Sequence, residues 1–193
     1  MQKNIIISGV GGQGILTMAS IIDLAAMNLG LNVKQAEVHG MSQRGGAVES
    51  HLRISSEEIF SDLIPVGRAD IILSIEPMES LRYLPFLSPY GVIVTATEPY
   101  INIGNYPDEK ELLDTISASA KHVFVNAESL AKEAGSAKAY NVVMLGAASP
   151  YLDMPIEELE KAIEMLFSRK GEEMVKMNVK AFRLGLENAE NKD

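Results

Sequence analysis

Residues 4–14 of the chain run Asn-Ile-Ile-Ile-Ser-Gly-Val-Gly-Gly-Gln-Gly. The first half is a short β-branched run, which is typical of a buried strand. The second half satisfies the pattern G-x-G-x-x-G, with glycines at positions 9, 11 and 14. Over residues 14–29 the apolar residues then recur at helical spacing, which predicts a helix directly after the glycines. The stretch therefore predicts a strand, a glycine loop and a helix in succession.

A glycine loop between a strand and a helix is suited to binding a phosphate or another anion. Glycines permit a tight turn, and the N-terminus of the helix offers free N–H groups and the positive end of its dipole. Glu37, at the end of the next predicted strand, would hold the ribose hydroxyls in a dinucleotide-binding enzyme. The alternative is a tight turn that binds no ligand. The candidate residues of this first loop are Gly9, Gly11, Gly12, Gln13 and Gly14.

The rest of the chain alternates predicted strands with predicted helices. This alternation predicts a single α/β domain over residues 1–193, three-layered and Rossmann-like, with a mostly parallel sheet, helices on both faces and a helical C-terminal region. The predicted further strands are 32–38, 47–54, 70–75, 91–96 and 122–126. Four further helices are predicted: one that begins at Pro77, one over 108–119, one between Pro155 and Gly171, and one over 172–188. Residues 139–149 are expected to be buried.

The composition excludes several classes of function. The chain has 193 residues, which suits one domain, and it contains no Cys. Disulfides, thiolate zinc sites, clusters held by four cysteines and a Cys nucleophile are therefore excluded. The net charge of −9 argues against nucleic-acid binding, which needs a basic face. The scattered histidines predict no metal site. Glycines interrupt the longest uncharged stretch, residues 4–22, so we expect no membrane span. The absence of Cys fits a reducing compartment, and we expect a cytoplasmic protein.

A second glycine loop follows Glu37. It runs from His39 to Gly46 and offers a fixed cation, a neutral amide and a hydroxyl, which suit a phosphate or a polar carbonyl compound. The alternative is a long turn stiffened by side-chain hydrogen bonds. The candidate residues of this second loop are His39, Gly40, Met41, Ser42, Gln43, Arg44, Gly45 and Gly46.

The two loops carry a family resemblance. Gly-Val-Gly-Gly-Gln-Gly-Ile at 9–15, with Glu-Val-His-Gly-Met-Ser-Gln-Arg-Gly-Gly at 37–46, resembles the gamma-type domain of 2-oxoacid (pyruvate, ketoisovalerate or indolepyruvate) ferredoxin oxidoreductases. The likeness is strongest to the small (beta) subunits of the indolepyruvate enzymes. It extends in the family's order over nearly the whole chain, including residues 69–77, 141–147, 155–159 and 178–185.

The resemblance implies a subunit that is inactive alone. The family decarboxylates a 2-oxoacid oxidatively with coenzyme A as co-substrate and reduces ferredoxin. For this chain the resemblance implies no tightly bound cofactor. Thiamine diphosphate and iron–sulfur clusters would lie on a large alpha subunit, and ferredoxin would interact with the enzyme through that subunit. The chain would complete the active site and help to bind coenzyme A, and the 2-oxoacid would be indolepyruvate or another arylpyruvate. The alternative is an independent NAD- or FAD-binding protein, supported by the glycine pattern and Glu37.

Four polar residues outside the loops are also of interest. Glu76 precedes a predicted helix start and either faces the ligand crevice as an acceptor or compensates the helix N-terminus. Asn126 is expected to be a helix N-cap. His51 lies on a polar strand face that is expected to be solvated, or to form an interface in a subunit. Asn178 is expected away from the apolar stripe of the last helix, where it could bond to a strand end.

Overall fold

A computed structural model describes residues 1–40, 45–101 and 103–191 of the chain. Within these ranges six strands form one sheet, in the order β2-β3-β1-β4-β5-β6. The strands are β1 (Gln2–Val10), β2 (Asn32–His39), β3 (Ala47–Ser55), β4 (Ala69–Ser74), β5 (Leu87–Ala96) and β6 (Lys121–Val125). The helices are α1 (Ile15–Asn28), α2 (Pro77–Arg82), α3 (Glu109–Ser119), α4 (Ala127–Ala134), α5 (Tyr140–Ala148), α6 (Ile156–Phe167) and α7 (Glu172–Glu190).

The predicted α/β class is confirmed, with one strand reversed. β1 pairs in parallel with β4, and the parallel pairing continues through β5 and β6. β3, however, runs antiparallel to both β1 and β2 and lies between them. Glu37 therefore lies opposite Ser50, and Ser50 opposite Ile7, so that two strand spacings of about 4.8 Å separate Glu37 from β1. In the common dinucleotide-binding fold the second strand lies directly beside the first.

Alternate residues of β1 point into two separate cores. Ile5 and Ile7 pack on the side covered by α1, α5, α6 and α7, whereas Ile6 packs on the side covered by α2 and α3. This two-sided burial explains the continuous apolar run in the sequence, because a strand covered on both faces has no polar face. No helix within the described ranges is long and apolar enough to cross a membrane.

β5 begins four residues before the predicted strand. Its first residues include Ser88, Pro89 and Gly91, which are typical of turns. The pairing of β4 with β5 changes register between Ala69 and Ile71, and this irregularity accommodates them within the strand. Because these residues are typical of turns, the prediction from periodicity placed the start of the strand too late.

α5 and α7 pack backbone against backbone. A Cβ atom on Gly146 would collide with the carbonyl oxygen of Phe182, and one on Gly185 with that of Val143. This close approach puts small residues, and Asn178, on the buried face of α7. The prediction for Asn178 was therefore wrong: its amide donates to the carbonyl of Met174 in its own helix, at 2.8 Å. The residues of α7 that are buried are Asn178, Ala181, Phe182, Gly185 and Ala189.

The polar face of β3 is covered, contrary to the expected solvated face. His51 is buried, and its Nδ1 atom accepts a hydrogen bond from the backbone N–H of Ile64 at 3.1 Å. Arg53 on the same face donates to the carbonyl oxygen of Ser61 at 2.8 Å. The covering segment is the irregular loop that connects β3 to β4.

Candidate functional site

The first glycine loop joins β1 to α1 at the carboxyl edge of the sheet. Gly12 and Gly14 have positive φ angles of 99° and 83°, a conformation that glycine adopts at little cost. The side-chain oxygen of Gln13 accepts a hydrogen bond from the N–H of Val10 at 2.7 Å and thereby closes the loop on itself. A Cβ atom on Gly9 would lie 2.7 Å from that oxygen, so the closure requires glycine at this position.

The N-terminus of α1 is open. Among the described residues no side chain caps this helix, and its first turn carries no acidic residue. Asn141 of α5 holds the end of the loop in place, because its amide donates a hydrogen bond to the carbonyl oxygen of Gly14 at 3.2 Å. The N–H of Thr17 already donates to the carbonyl oxygen of Gly14 at 3.0 Å. The N–H groups of Ile15 and Leu16 are the ones suited to an anion, with the positive end of the helix dipole behind them.

The two glycine loops are hydrogen-bonded to each other. The N–H of Gly11 donates to the carbonyl oxygen of Gly46 at 2.8 Å, and the N–H of Gly40 donates to that of Ala47, also at 2.8 Å. The structure thus brings the predicted first loop and both ends of the second loop together. The predicted candidates Met41, Ser42, Gln43 and Arg44 lie outside the described residues.

Glu37 and His39 form a pair at the end of β2. The Nε2 atom of His39 lies 3.1 Å from one carboxylate oxygen of Glu37. The other oxygen of Glu37 is buried and has no hydrogen-bond partner among the described residues. A buried acceptor without a donor is costly, so this oxygen favours a ligand or a further donor.

Two cavities flank the first glycine loop. The larger, of about 720 Å³, lies between this loop and the end of β2 and is lined by Leu16, His39 and Gly40 among others. The smaller, of about 380 Å³, lies between the same loop and the start of α4. The smaller cavity is lined by Gly11, Gly12, Gln13, Ile75, Ala96, Glu98, Pro99, Tyr100, Ala127, Glu128 and Tyr140.

The smaller cavity is unsuited to an anion. The carboxylate of Glu98 already occupies the N-terminus of α4, where it accepts from the N–H of Ala127 at 3.2 Å and from that of Glu128 at 2.9 Å. Burial and the nearby charge of Glu128 raise the pKa of Tyr140, so its hydroxyl stays neutral. A phosphate in this cavity would face carboxylates, and the larger cavity is therefore the better anion site.

Glu76 caps α2. Its carboxylate is buried and accepts from the N–H of Glu79 at 2.9 Å, from the N–H of Tyr100 at 3.4 Å and from the hydroxyl of Tyr106. Burial and this hydrogen bond raise the pKa of Tyr106, which keeps the phenol protonated as a donor. Of the two sequence-based interpretations, the geometry matches compensation of the helix N-terminus. Asn126 caps α4 as predicted, accepting from the N–H of Ser129 at 3.2 Å.

Asp23 of α1 belongs to none of the motifs that predict the site from the sequence. Burial raises its pKa to about 6, and its Oδ1 atom has no hydrogen-bond partner among the described residues. Asp23 is the only charged residue between Lys3 and Lys34. A single charge in such a long uncharged segment is the sequence feature that could have identified it as a buried charge. Among the described residues no group of three or more His, Asp or Glu side chains could hold a metal ion.

The fold and the loops define a class of protein: an α/β domain with an open glycine loop at the carboxyl edge of its sheet and no cysteine to ligate a redox centre of its own. The sequence profile described as pyruvate ferredoxin/flavodoxin oxidoreductase matches residues 4–188. The chain therefore belongs to the pyruvate ferredoxin/flavodoxin oxidoreductase family, which confirms the resemblance inferred from the two loops.

Individual relatives agree with this assignment. Indolepyruvate oxidoreductase subunit IorB of Archaeoglobus fulgidus is 41% identical over 198 residues, with 98% of this chain and 96% of that protein covered. The crystal structure of a keto/oxoacid ferredoxin oxidoreductase gamma subunit from Geobacter sulfurreducens is 28% identical, with a TM-score of 0.71 and coverage of 98% of this chain and 99% of that one.

A third protein with a similar fold is larger. The structure of 2-oxoglutarate:ferredoxin oxidoreductase from Magnetococcus marinus, with 2-oxoglutarate, coenzyme A and succinyl-CoA bound, matches with a TM-score of 0.78 and 24% identity. The match covers 98% of this chain but only 31% of that one. This likeness shows the shared fold, and it shows the fold within a much longer polypeptide.

Proposed function

We propose that the chain is the small subunit of a 2-oxoacid:ferredoxin oxidoreductase that acts on indolepyruvate or another arylpyruvate, and that it helps to bind coenzyme A. The observation that carries the proposal is the open N-terminus of α1 above the first glycine loop. Family membership and the identity to an indolepyruvate oxidoreductase subunit support the choice of enzyme.

The phosphates of coenzyme A suit the larger cavity. Its wall includes the open first turn of α1, and backbone N–H groups bind phosphate without bringing a side-chain charge. The net charge of −9 makes such local donors necessary, because the field of the whole chain repels an anion. The residues proposed to contact coenzyme A directly or to shape its site are 9–14, Glu37 and 39–46. Glu76 caps α2 and is given no contact with the ligand.

The redox chemistry belongs to the proposed partner. The reaction converts a 2-oxoacid, coenzyme A and oxidised ferredoxin into an acyl-CoA, carbon dioxide and reduced ferredoxin, so an electron pair must leave the substrate. This chain has no thiolate for an iron–sulfur cluster. Thiamine diphosphate and clusters on a large subunit supply the electron sink and the path to ferredoxin, and this chain orients the coenzyme A that accepts the acyl group.

The experiment uses Leu16, an exposed residue in the first turn of α1 that lines the larger cavity. In the reconstituted heteromer, Leu16→Asp places a carboxylate among the N–H groups proposed to hold phosphate. We expect the KM for coenzyme A to rise about tenfold or more, corresponding to about 1.4 kcal/mol. The stability of the subunit should be unchanged or higher, because an acidic residue near a helix N-terminus is favourable.

The matched control is Leu16→Asn, which is close in size to the aspartate and uncharged. We expect its KM for coenzyme A to stay within about twofold of the wild-type value, since it adds no like charge. Equal KM values for Leu16→Asp and the wild type would overturn coenzyme A binding at this loop. Turnover of 2-oxoacids by the isolated chain would overturn the subunit assignment itself.

A further inference from the structure

The smaller cavity beside the first glycine loop is lined mainly by apolar and aromatic residues. Ile75, Ala96 and Ala127 of its lining are buried, and Tyr140 at the start of α5 is partly buried. Tyr100 also lines the cavity and is 45% exposed, so part of this aromatic side chain is open to solvent. The volume of about 380 Å³ lies within the range of about 300–1,000 Å³ that is typical of sites for small molecules.

The two tyrosines of this cavity are held by hydrogen bonds of the backbone around them. The N–H of Tyr100 donates to the carboxylate of Glu76 at 3.4 Å, and Glu76 is buried. Tyr140 directly precedes Asn141, whose amide donates to the carbonyl oxygen of Gly14 at 3.2 Å. Both aromatic side chains are therefore placed at the cavity before any ligand binds, as in most sites for small molecules.

The charges of the cavity select an uncharged ring. Its charged side chains are the carboxylates of Glu98 and Glu128, which accept hydrogen bonds and repel an anion. The proposed reaction involves two ring systems, the indole of indolepyruvate and the adenine of coenzyme A. Indole carries one N–H donor and no ring acceptor, whereas the acceptor nitrogens of adenine would face carboxylates that cannot donate to them. The indole ring is therefore the better match.

We propose that the smaller cavity binds the aromatic ring of the 2-oxoacid and that Tyr100 and Tyr140 determine the preference for an aryl substrate, an inference that rests on the proposed function. Aromatic side chains bind such a ring through offset-stacked or edge-to-face contacts. Glu98 and Glu128 repel the carboxylate of the substrate, so the ring enters the cavity and the 2-oxoacid group stays outside. This orientation leaves the reacting carbonyl group accessible to the large subunit.

The position of the cavity suits the transfer of an acyl group to coenzyme A. Gly11, Gly12 and Gln13 line both the smaller cavity and the larger one, in which coenzyme A is proposed to bind. Acyl transfer joins the carbonyl carbon of the substrate to the sulfur of coenzyme A, so these two atoms must meet. Binding the ring and the coenzyme on the two sides of one loop keeps both substrates at the same edge of the sheet.

The test is Tyr100→Ser in the reconstituted heteromer, with the KM measured separately for indolepyruvate and for coenzyme A. We expect the KM for indolepyruvate to rise about tenfold, because an aromatic wall of the ring site is lost. The KM for coenzyme A should stay within about twofold of the wild-type value, since the phosphates bind in the other cavity. Tyr100→Phe keeps the aromatic wall and should restore the wild-type KM for indolepyruvate.

The matched control is Tyr90→Ser, which removes an exposed tyrosine outside the cavity. Tyr90 is 98% exposed and lies in the first half of β5, whereas the cavity adjoins Ala96 at the end of that strand. Both KM values of this variant should equal those of the wild type. The Tm of the isolated Tyr100→Ser subunit shows that it is folded, as the partial exposure of this loop side chain leads us to expect.

Three outcomes count against the proposal and are distinguishable. A wild-type heteromer that does not turn over indolepyruvate overturns the proposed function and the ring site together. Wild-type turnover with an unchanged KM for indolepyruvate in Tyr100→Ser overturns the ring site alone. A KM for coenzyme A that rises as much as that for indolepyruvate, or more, assigns the cavity to the coenzyme. That result overturns the ring site and leaves the proposed function in place.

Discussion

Two helices, α1 and α4, begin on either side of the smaller cavity. Side chains of the protein cap the N-terminus of α4, whereas no described side chain caps that of α1. α4 is capped by Asn126 and receives the carboxylate of Glu98, so an anion of the protein itself occupies its N-terminus. The residue before α1 is Gly14, and no side chain among the described residues caps this helix. Of the two helix ends at this cavity, only that of α1 therefore has no side-chain partner among the described residues, and it is the one suited to an anion from outside the chain.

The largest expected effect comes from Gly14→Ala, which breaks the start of α1. The new Cβ atom would collide with the amide of Asn141 at a positive φ of 83°. We expect a loss of about 3 kcal/mol in the free energy of unfolding, from backbone strain and the displaced amide. The control is Gly30→Ala, which has a positive φ of 71° but open space around it and should lose about 1 kcal/mol. Urea unfolding measures both, and equal losses would contradict the role of Asn141.

A smaller effect is expected from Asp23→Asn, which removes the one charge within α1. Burial raises the folded-state pKa to about 6 from 3.8, so the folded protein binds the proton more tightly than the unfolded chain. Stability of the wild type therefore falls as the pH rises from about 4 to 6 through this group. After allowance for partial exposure, we expect the variant to gain about 1–2 kcal/mol relative to the wild type between pH 3.5 and pH 7.5.

Denaturant titrations of both proteins at the two pH values measure this difference directly. Asp114→Asn, in α3, is the control, because Asp114 is exposed and its substitution should produce no such divergence. Parallel stability curves for the wild type and Asp23→Asn across this range would show that Asp23 is not the responsible group.

The smallest effect is expected from Glu98→Gln, which makes the start of α4 resemble that of α1. Loss of the charge-assisted bonds to Ala127 and Glu128 should cost about 1 kcal/mol of stability. The same change should let inorganic phosphate stabilise the variant more than the wild type, as a larger shift of Tm in phosphate. Glu128→Gln, an exposed control, should change stability by less than about 0.5 kcal/mol. An identical shift of Tm in phosphate for Glu98→Gln and the wild type would show that the carboxylate of Glu98 does not keep an external anion from the N-terminus of α4.

Much of the fold was predictable because it depends on local periodicity. The strand-loop-helix order of residues 2–28 follows from a β-branched run, glycines and helical spacing, and the structure agrees to within a few residues. The position of β3 was less apparent, although a signal existed. Only residues 40–46 separate β2 from β3, and parallel neighbours require a long crossover, so this short connection should have indicated an antiparallel pair.

The parts that could not be predicted depend on contacts between distant segments. The close contact between α5 and α7 requires Gly146 in one helix and Gly185 in the other. The local sequence of neither helix shows that the two glycines belong to the same contact. His51 and Arg53 gave an alternating pattern that is typical of a solvated face, yet an irregular loop without periodicity covers them. For the site, the glycine pattern located the loop, but only the structure shows that no described side chain caps the N-terminus of α1.

The hydrogen bond from Gly11 to Gly46 has a kinetic consequence. It can form only after the hairpin of β2 and β3 has docked against β1, a pairing between segments far apart in the chain. Such long-range pairings are slow, so the anion site should reach its final shape late in refolding. A ligand that recognises only the finished loop would then slow the unfolding of the subunit while leaving its folding rate unchanged.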